Sequence, residues 1–257
     1  MKIVKIGGNV VDNPDALLSF LKDFSQLAGP KILVHGGGKE ATRLGEALGI
    51  HADMIDGRRV TDRATLDVVT MVYAGLINKR IVALLQSLGV DAIGLSGADA
   101  GIIKATRRCP EPIDYGFVGD IDPLDVNDRM LASLTDRGLT PVICAIMHDG
   151  AGTLLNCNAD TVASATAIGM ARRGRCSLIY CFEKPGVLTD PDDDSSVIER
   201  IDCRNFEELK ASGAISKGMI PKISNALAAI ASGVSEVIIK SSADLLSGGG
   251  TFIKART

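Results

Sequence analysis

The ten residues KILVHGGGKE, at positions 31–40, decide the fold class because they join an apolar run directly to three glycines. A short continuous apolar run of this kind predicts a strand buried on both faces. Glycine loses more conformational freedom on folding than any other residue, so Gly36, Gly37 and Gly38 need a physical reason. Close approach of the backbone to a ligand, such as a nucleotide phosphate, is one reason, and a tight turn is the alternative.

The composition of the 257-residue chain bounds its possible functions. A hydrophobic content of 46% is ample for a buried core, and a net charge of −3 without a long basic run argues against nucleic acid or an anionic membrane as a partner. The lack of Trp, with three Tyr and six Phe, also argues against base-stacking surfaces. Six cysteines without C-x-x-C spacing are typical of small core residues in a reducing compartment.

Neither a signal peptide nor a membrane span is expected from the sequence. Residues 1–11 are followed too soon by Asp12, Asn13 and Pro14 to form a signal peptide, and no apolar run is predicted to be long enough to cross a bilayer. The sequence therefore predicts a cytoplasmic protein without a membrane partner.

Strand and helix patterns alternate along the whole chain. Strands are predicted at 2–11, 31–38, 90–97, 140–149, 176–182 and 236–242, and helices at 14–24, 39–49, 64–88, 122–138, 158–174, 205–212 and 219–232. Residues 98–122, with Pro110 and Pro112, predict an excursion of short β-hairpins. This order predicts an α/β fold with a mostly parallel central sheet sandwiched between helices.

In such sheets ligands bind at the carboxyl ends of the strands. That rule directs attention to residues 7–9, 35–39, 94–98 and 147–150 and to those after 182. The charge-rich stretch 183–203 is either a seam between two halves of the chain or a surface hairpin.

Glycine and lysine occur together at two of these strand ends. Lys5 precedes Gly7 and Gly8, and Gly36–Gly38 lie at the entrance to a predicted helix, where free backbone N–H groups and the helix dipole favour anions. The run HGGGKEAT fits neither the P-loop spacing G-x-x-x-x-G-K-[ST] nor G-x-G-x-x-G, in which Ala41 would have to be glycine.

Two further motifs lie at predicted helix starts. In NCNAD, residues 156–160, either Asn158 or Asp160 could be an ordinary N-terminal cap. In GMIPKI, residues 218–223, Lys222 opposes the helix dipole, which indicates a nearby anion unless the side chain is simply solvated.

Taken together and in this order, Lys5 with Gly7-Gly8, VHGGG, GRRVT (57–61), NCNAD and KGMIPK resemble the amino-acid kinase superfamily over essentially the whole chain. GRRVT followed by the long predicted helix is most similar to the branch that phosphorylates the side-chain carboxylate of N-acetylglutamate in arginine biosynthesis. The resemblance implies ATP as phosphoryl donor, with Mg²⁺ held mainly by phosphates and water and no protein metal ligand. It also implies that the N-terminal half, residues 1–180, binds the acceptor and forms the dimer, and that the C-terminal half, residues 181–257, binds ATP. The two halves would form a single continuous fold.

The resemblance also implies roles for individual residues. The catalytic group consists of Lys5, Lys222, Asp160, Gly8 and Gly37; the acceptor is bound by Gly37, Gly38, Arg59 and Asn156; ATP is bound by Lys5, Gly7, Gly8, Glu183, Gly186 and Lys222. Lys5 would lie near the attacking group, Lys222 near the leaving group, and Asp160 would hold both ammonium groups. Arg59 is expected to grip a substrate carboxylate through two hydrogen bonds, with Arg58 facing solvent, although the sequence does not fix which of the two points inward.

Some features depart from the family pattern or stay open. Glu183-Lys184 and Lys217 lie where relatives usually carry other residues, which puts the base and ribose contacts in doubt. The acidic run Asp190, Asp192, Asp193 and Asp194 is interpreted as a solvated hairpin tip rather than a metal site.

The assembly and the substrate allow alternatives. A homodimer is expected on the helix 64–88 through Leu66, Val69, Leu76 and Ile77, unless these residues only face the sheet. Alternative functions are a sibling kinase acting on N-succinylglutamate or another carboxylate, and a non-catalytic nucleotide or amino-acid sensor.

Overall fold

The computed structural model of the protein describes residues 1–55, 57–215 and 218–255. Its strands are β1 (Lys2–Ile6), β2 (Lys31–His35), β3 (Met54–Ile55), β4 (Arg58–Arg59), β5 (Ala92–Leu95), β6 (Thr106–Arg107), β7 (Gly119–Asp120), β8 (Thr140–Cys144), β9 (Ile146–His148), β10 (Leu154–Asn156), β11 (Ser177–Phe182), β12 (Arg200–Ile201), β13 (Glu236–Ser241) and β14 (Thr251–Ile253). Its α-helices are α1 (Gly8–Val11), α2 (Pro14–Gln26), α3 (Gly38–Ala47), α4 (Arg63–Thr70), α5 (Asn78–Ser87), α6 (Asp128–Asp136), α7 (Ala159–Ala171), α8 (Cys203–Ala211) and α9 (Ile220–Ala231).

Eight strands of the described residues form the central sheet, in the order β12-β14-β13-β11-β1-β2-β8-β5. Neighbouring strands run parallel except β13 and β14, which pair antiparallel. The predicted α/β class with a mostly parallel sheet is confirmed. β1, β2 and β8 are almost wholly buried, as parallel strands covered on both faces must be.

The direction of the crossovers assigns the helices to the two faces. From β1 to β2 and from β2 to β5 the chain moves one way across the sheet, through α2 and α5, and these two helices pack together. From β5 onwards it moves the other way, through α6, α7 and α9, and α7 contacts both α6 and α9. Because parallel crossovers are right-handed, the two sets cover opposite faces.

The direction reverses between β1 and β11, which are neighbours in the sheet. The chain leaves β1 towards β2 on one side and leaves β11 towards β13 on the other. A crevice opens outside the carboxyl ends of strands at such a switch point, and ligands of open α/β sheets bind there.

Two predicted strands end earlier than their apolar runs. Residues 8–11 form the short helix α1, with the Val11 amide bonded to the Gly7 carbonyl, so the prediction of a strand over 2–11 is wrong after Ile6. The predicted strand 140–149 divides at Ala145 into β8 and β9, and β9 pairs with β10 as a hairpin. Short apolar runs do not distinguish these outcomes, because periodicity alone cannot separate strand from buried helix or locate a bend.

The longest helical region runs from Arg63 to Ser87 and contains a π-helical segment at Met71–Ile77 between α4 and α5. An 18-residue stretch of this 25-residue region has a mean hydropathy of 1.6, so the region is long and apolar enough to cross a membrane by length and composition, and the prediction that no apolar run reaches that length is wrong. Leu66, Ile81 and Leu85 are fully buried in the protein core, as in a core helix of an α/β fold.

The dimer residues predicted on this helix mostly face inward. Leu66, Val69 and Ile77 are at most 2% exposed and belong to the core, so they are not available to a partner. Leu76 is 42% exposed and Met71 is 53% exposed. The alternative that these side chains only face the sheet is correct for three of the four.

Candidate active site

Two adjoining cavities lie at the carboxyl edge of the sheet, at the β1/β11 switch point. The first, about 210 Å³, is lined by Lys5, Gly8, the Gly36–Gly38 run, the β3–β4 hairpin, Tyr73 and Asn156. The second, about 410 Å³, is lined by Gly7, Asn9, Asp160, Phe182, Glu183, Gly186, Met219 and Lys222 together with Lys5 and Gly8. Lys5 and Gly8 line both, so the two cavities meet at these residues.

An ion pair stands at the junction of the cavities. Lys5 Nζ, on β1, lies 2.7 Å from Asp160 Oδ1, in the first turn of α7, and the Lys5 side chain is only 9% exposed. The cap of α7 is Asn158, whose side chain accepts from the Asp160 and Thr161 amides at 2.8 and 3.2 Å. Asn158 therefore does the capping, and the Asp160 carboxylate is directed to Lys5.

Lys222 lies in the first turn of α9, directly after Pro221, and its side chain lines the second cavity. Its half-buried ammonium has a pKa below the usual lysine value, mainly because burial disfavours the charged form; the Asp160 charge opposes this effect, and Lys5 adds to it. Among the described residues, Asp160 forms an ion pair with Lys5 and none with Lys222. Asp160 was expected to hold both ammonium groups, and in the structure it contacts that of Lys5.

The glycines of the site differ in what a side chain at each position would meet. A Cβ on Gly8 would find nothing nearer than Asp12 Oδ2 at 3.9 Å, so the protein itself leaves this position open. A Cβ on Gly37 would collide with the end of the Ile77 side chain and approach Tyr73 Cδ1 to 3.2 Å, so a side chain there would force both neighbours to shift. A Cβ on Gly186 would meet Thr251 Oγ1 at 2.7 Å. The open space above Gly8 is the feature that points to a ligand.

The acceptor side of the first cavity carries two guanidinium groups. The β3–β4 hairpin presents Arg58 and Arg59, and both line the cavity, so the expectation that Arg58 faces solvent is wrong. Arg59 Nη2 donates to Gly38 O at 2.9 Å and to Thr42 Oγ1 at 2.7 Å, which fixes it against α3. The Arg58 backbone pairs with Ile55 in the hairpin, and its side chain joins that of Arg59 in lining the cavity.

Asn156 closes this cavity from the end of β10. Its side-chain amide donates to Thr61 Oγ1 at 3.0 Å, and Thr61 Oγ1 donates to the Arg59 carbonyl at 2.8 Å. Asn156 is 6% exposed. No group among the described residues donates to the Asn156 amide oxygen, which can therefore accept from a ligand N–H in the cavity.

His35 is a functional position to which the sequence analysis gave no role. Its Nδ1 lies 2.8 Å from Gly36 O, and because a carbonyl only accepts, Nδ1 carries the proton. Nε2 then accepts from Asn78 Nδ2 at 3.1 Å, and Asn78 also donates to Val142 O at 2.9 Å. This buried network fixes the start of the glycine run, and the signal for it was the polar His35 within an apolar strand.

His35 makes folding stability depend on pH. Burial lowers its pKa from 6.5 to about 4, so below pH 6.5 the unfolded chain binds a proton before the folded one does. Stability from this group is complete above pH 6.5 and is lost as pH falls to about 4, by on the order of 3 kcal/mol. In urea titrations, His35→Gln should show a shallower fall of the unfolding free energy between pH 6.5 and 4 than wild type. The same change at exposed His51 is the control, and equal slopes for wild type and H35Q would refute the assignment.

Every residue predicted for the site lines one of the two cavities. Gly37, Gly38, Arg59 and Asn156 line the first, while Gly7, Asp160, Glu183, Gly186 and Lys222 line the second. The predicted strand ends at 94–98 and 147–150 line neither, because β5 is an edge strand and β9 turns into a hairpin. Lys217 lies outside the described residues. Tyr73, Asn9, Phe182 and Met219 were not predicted, and in one sequence they look like ordinary core or loop residues.

Candidate metal ligands do not cluster in the described part of the chain, where no group of three or more His, Cys, Asp or Glu side chains is placed to hold an ion. The acidic run forms a turn instead. Asp190 accepts from the Asp192 amide, Asp193 accepts from Ser195, and Asp194 pairs with Lys184 at 2.9 Å. This agrees with a solvated hairpin tip.

Comparison with known proteins identifies relatives over the whole chain. A model of the amino acid kinase family matches residues 1–241. The acetylglutamate kinase of Cytophaga hutchinsonii is 56% identical over 238 residues, covering 92% of this chain and 89% of that protein. The acetylglutamate kinase of Methanopyrus kandleri is 41% identical over 258 residues, covering 99% of this chain and 100% of that protein.

Solved structures share the fold. The protein smu.665 of Streptococcus mutans has a TM-score of 0.80 at 28% identity, with 98% of each chain covered. The N-acetylglutamate synthase of Neisseria gonorrhoeae, complexed with coenzyme A and N-acetyl-glutamate, has a TM-score of 0.82 at 22% identity; it covers 100% of this chain and 59% of that one. At that identity the second likeness concerns the fold alone.

Proposed function

The chain belongs to the amino acid kinase family, and from that premise we propose that it transfers the γ-phosphoryl group of ATP to the side-chain carboxylate of N-acetyl-L-glutamate. One observation carries the proposal: two cavities meet at Lys5 and Gly8, so that an acceptor in one and a nucleotide in the other would touch at a cationic junction. Relatives named acetylglutamate kinase at 41–56% identity support the choice of acceptor. The product is an acyl phosphate, an intermediate suited to arginine biosynthesis.

The chemistry needs electrostatic help more than it needs a base. The acceptor carboxylate is already the nucleophile: one of its oxygens forms a bond to the γ-phosphorus while the bond to the ADP oxygen breaks, and no proton is transferred. An anion must approach a triphosphate, and charge spreads over the transferring oxygens in the transition state. Lys5, with Asp160 fixing its position, serves the junction where the attack occurs. Lys222 serves the nucleotide side and stabilises charge on the leaving group.

The remaining site residues hold the two substrates. The Arg59 guanidinium and the Asn156 amide, both on the first cavity, suit the α-carboxylate and the amide of an N-acylated amino acid. The backbone at Gly8 leaves space for a phosphate to approach closely, and Gly7, Glu183 and Gly186 border the nucleotide. Mg²⁺ would be held by phosphate oxygens and water and would neutralise charge on ATP.

A larger acyl group is a second candidate that one observation favours. Arg58 lines the acceptor cavity beside Arg59, so an acyl group with its own carboxylate, as in N-succinylglutamate, would meet a second guanidinium there. Acetyl offers nothing charged to Arg58.

A hydroxamate assay tests the function and the acyl group together. Hydroxylamine traps an acyl phosphate, so we expect ATP- and Mg²⁺-dependent colour with N-acetylglutamate, and a parallel reaction with N-succinylglutamate reports the larger acyl group. Free glutamate, aspartate and carbamate are the controls for sibling kinases. Colour with neither N-acylglutamate, in a protein that still binds ATP, would contradict the proposal and favour a sensor.

The acceptor contact of Arg59 gives a prediction of its own. Arg59→Lys should raise the acceptor KM about tenfold to a hundredfold with little change in kcat, because an ammonium cannot form the paired hydrogen bonds of a guanidinium. Initial rates at saturating ATP measure this. Arg58→Lys is the matched comparison, and a KM that changes with Arg58 and not with Arg59 would move the assignment to Arg58.

The homodimer and the cytoplasmic location are also proposals. Met71 and Leu76 are exposed apolar side chains on the π-helical segment, and they remain as candidates for a subunit contact. Light scattering that gave the mass of one chain would contradict the dimer. Cys144, Cys157, Cys176 and Cys181 are buried free thiols, as expected in a reducing compartment.

A further inference from the structure

We propose that Phe182 is a positioning residue, whose aromatic ring holds the Lys5 and Lys222 ammonium groups in place before the nucleotide arrives. The inference rests on the proposed function, because it assigns the two lysines to phosphoryl transfer. Lys222 Nζ lies 4.0 Å from the centre of the Phe182 ring, and Lys5 Nζ lies 4.9 Å from it. A single ring therefore contacts both lysine ammonium groups.

The sheet register explains why the ring meets Lys5. β1 and β11 pair in parallel with Lys5 opposite Tyr180, so their side chains lie on the same face of the sheet. Tyr180 and Phe182 are two residues apart on β11, and alternate residues of a strand share a face. Their rings stack with centroids 6.0 Å apart and an interplanar angle of 11°. The Phe182 ring is thus held beside Lys5 by the strand itself.

Lys222 comes to the ring from the helix layer that covers this face of the sheet. It lies in the first turn of α9, which follows β11 in the chain and packs on β13, the other neighbour of β11. Tyr180 Oη donates to Asp160 O at 3.2 Å, which ties the aromatic pair to the helix that carries the Lys5 counterion. The ring therefore lies beside both lysine ammonium groups and next to the helix that carries Asp160.

A ring in this position solves a charge problem. Two ammonium groups that must bind one triphosphate repel each other when no phosphate is present, and among the described residues the Asp160 carboxylate forms its ion pair with Lys5. The negative face of an aromatic ring attracts cations without adding an anion that would repel ATP. Phe182 would thus keep Lys222 oriented in the nucleotide-free enzyme at no electrostatic cost to nucleotide binding.

Kinetics of matched variants test this role. Phe182→Leu removes the ring but keeps an apolar side chain, and we expect kcat to fall about tenfold with the KM for ATP nearly unchanged. Phe182→Tyr keeps the ring and should restore most of the lost turnover. Phe252→Leu is the control, because Lys254 lies 5.3 Å from the Phe252 ring outside both cavities. A raised KM for ATP with unchanged kcat in F182L would overturn the proposal and make Phe182 a nucleotide contact.

A spectroscopic measurement tests the contact without relying on activity. A ring beneath an ammonium group shifts the adjacent methylene protons upfield, so the Lys222 ε-methylene resonance of ¹³C-lysine-labelled, nucleotide-free protein should lie upfield of exposed lysines. Its assignment follows from its loss in K222R, and the shift should vanish in F182L but not in F252L. A Lys222 resonance at the ordinary lysine position in wild type would overturn the proposal. This readout holds whether or not the hydroxamate assay finds N-acetylglutamate to be the acceptor.

Discussion

Replacing Lys222 with alanine is expected to lower kcat by about 10²- to 10³-fold while the acceptor KM changes by less than about threefold. The Lys222 ammonium lies on the nucleotide cavity, away from the acceptor residues, so its largest contribution comes when charge develops on the leaving oxygen. The ammonium is half-buried, and this burial lowers its pKa; partial desolvation strengthens its interaction with a phosphate. Steady-state kinetics with each substrate varied in turn measure the effect.

The control for this variant is the same substitution at Lys210, an exposed residue at the end of α8. Lys210→Ala should leave both constants unchanged. If K222A raised the KM for ATP but kept its turnover, Lys222 would be a binding residue without a role in the transition state.

Gly8→Ala is expected to lower kcat/KM for ATP by about 100-fold or more without loss of folding stability. The nearest atom to the added methyl group is Asp12 Oδ2 at 3.9 Å, so the protein tolerates it, and alanine also favours the helix that Gly8 begins. The methyl group would instead occupy the space where the two cavities meet and displace the phosphoryl group. Thermal unfolding and kinetics on the same preparation separate the two effects.

Gly248→Ala is the matched control, because a Cβ there meets nothing within 4 Å and the residue lies outside both cavities. We expect unchanged kinetics for G248A. If G8A lost stability rather than activity, glycine would be needed at this position for folding, and it would no longer indicate a ligand.

The contrast between Gly8 and Gly37 shows how far a glycine can be interpreted from sequence. Both lie at strand ends and both were predicted to approach the phosphoryl group. In the structure a side chain at Gly37 would crowd Ile77 and Tyr73, which come from a helix 35 or more residues away in the chain, whereas Gly8 has no such neighbour. Only the packing of distant elements distinguishes a glycine that makes room for protein from one that makes room for a ligand.

The site residues themselves could be found from the sequence because five motifs in order resemble the amino-acid kinase superfamily, and most of these motifs lie at strand and helix ends. Lys5, Asp160 and Lys222 each belong to a short sequence motif, and each lines the second cavity. Phe182 and His35 could not be given roles in this way. The role of Phe182 depends on two lysines that are 177 and 40 positions away, and that of His35 depends on Asn78 from α5.

The sequence by itself determined the α/β class and the parallel sheet, because alternating apolar periods are local properties of the chain, and the resemblance of its motifs to a known family indicated the residues of the candidate site. The strand order, the break of 140–149 into two strands and the helical form of 8–11 were decided only by the tertiary structure. These features depend on which strand lies beside which, and that choice is made by burial of side chains far apart in sequence. Placing β1 beside β11 brings Lys5, Asp160, Phe182 and Lys222 together, and no local pattern contains that neighbourhood.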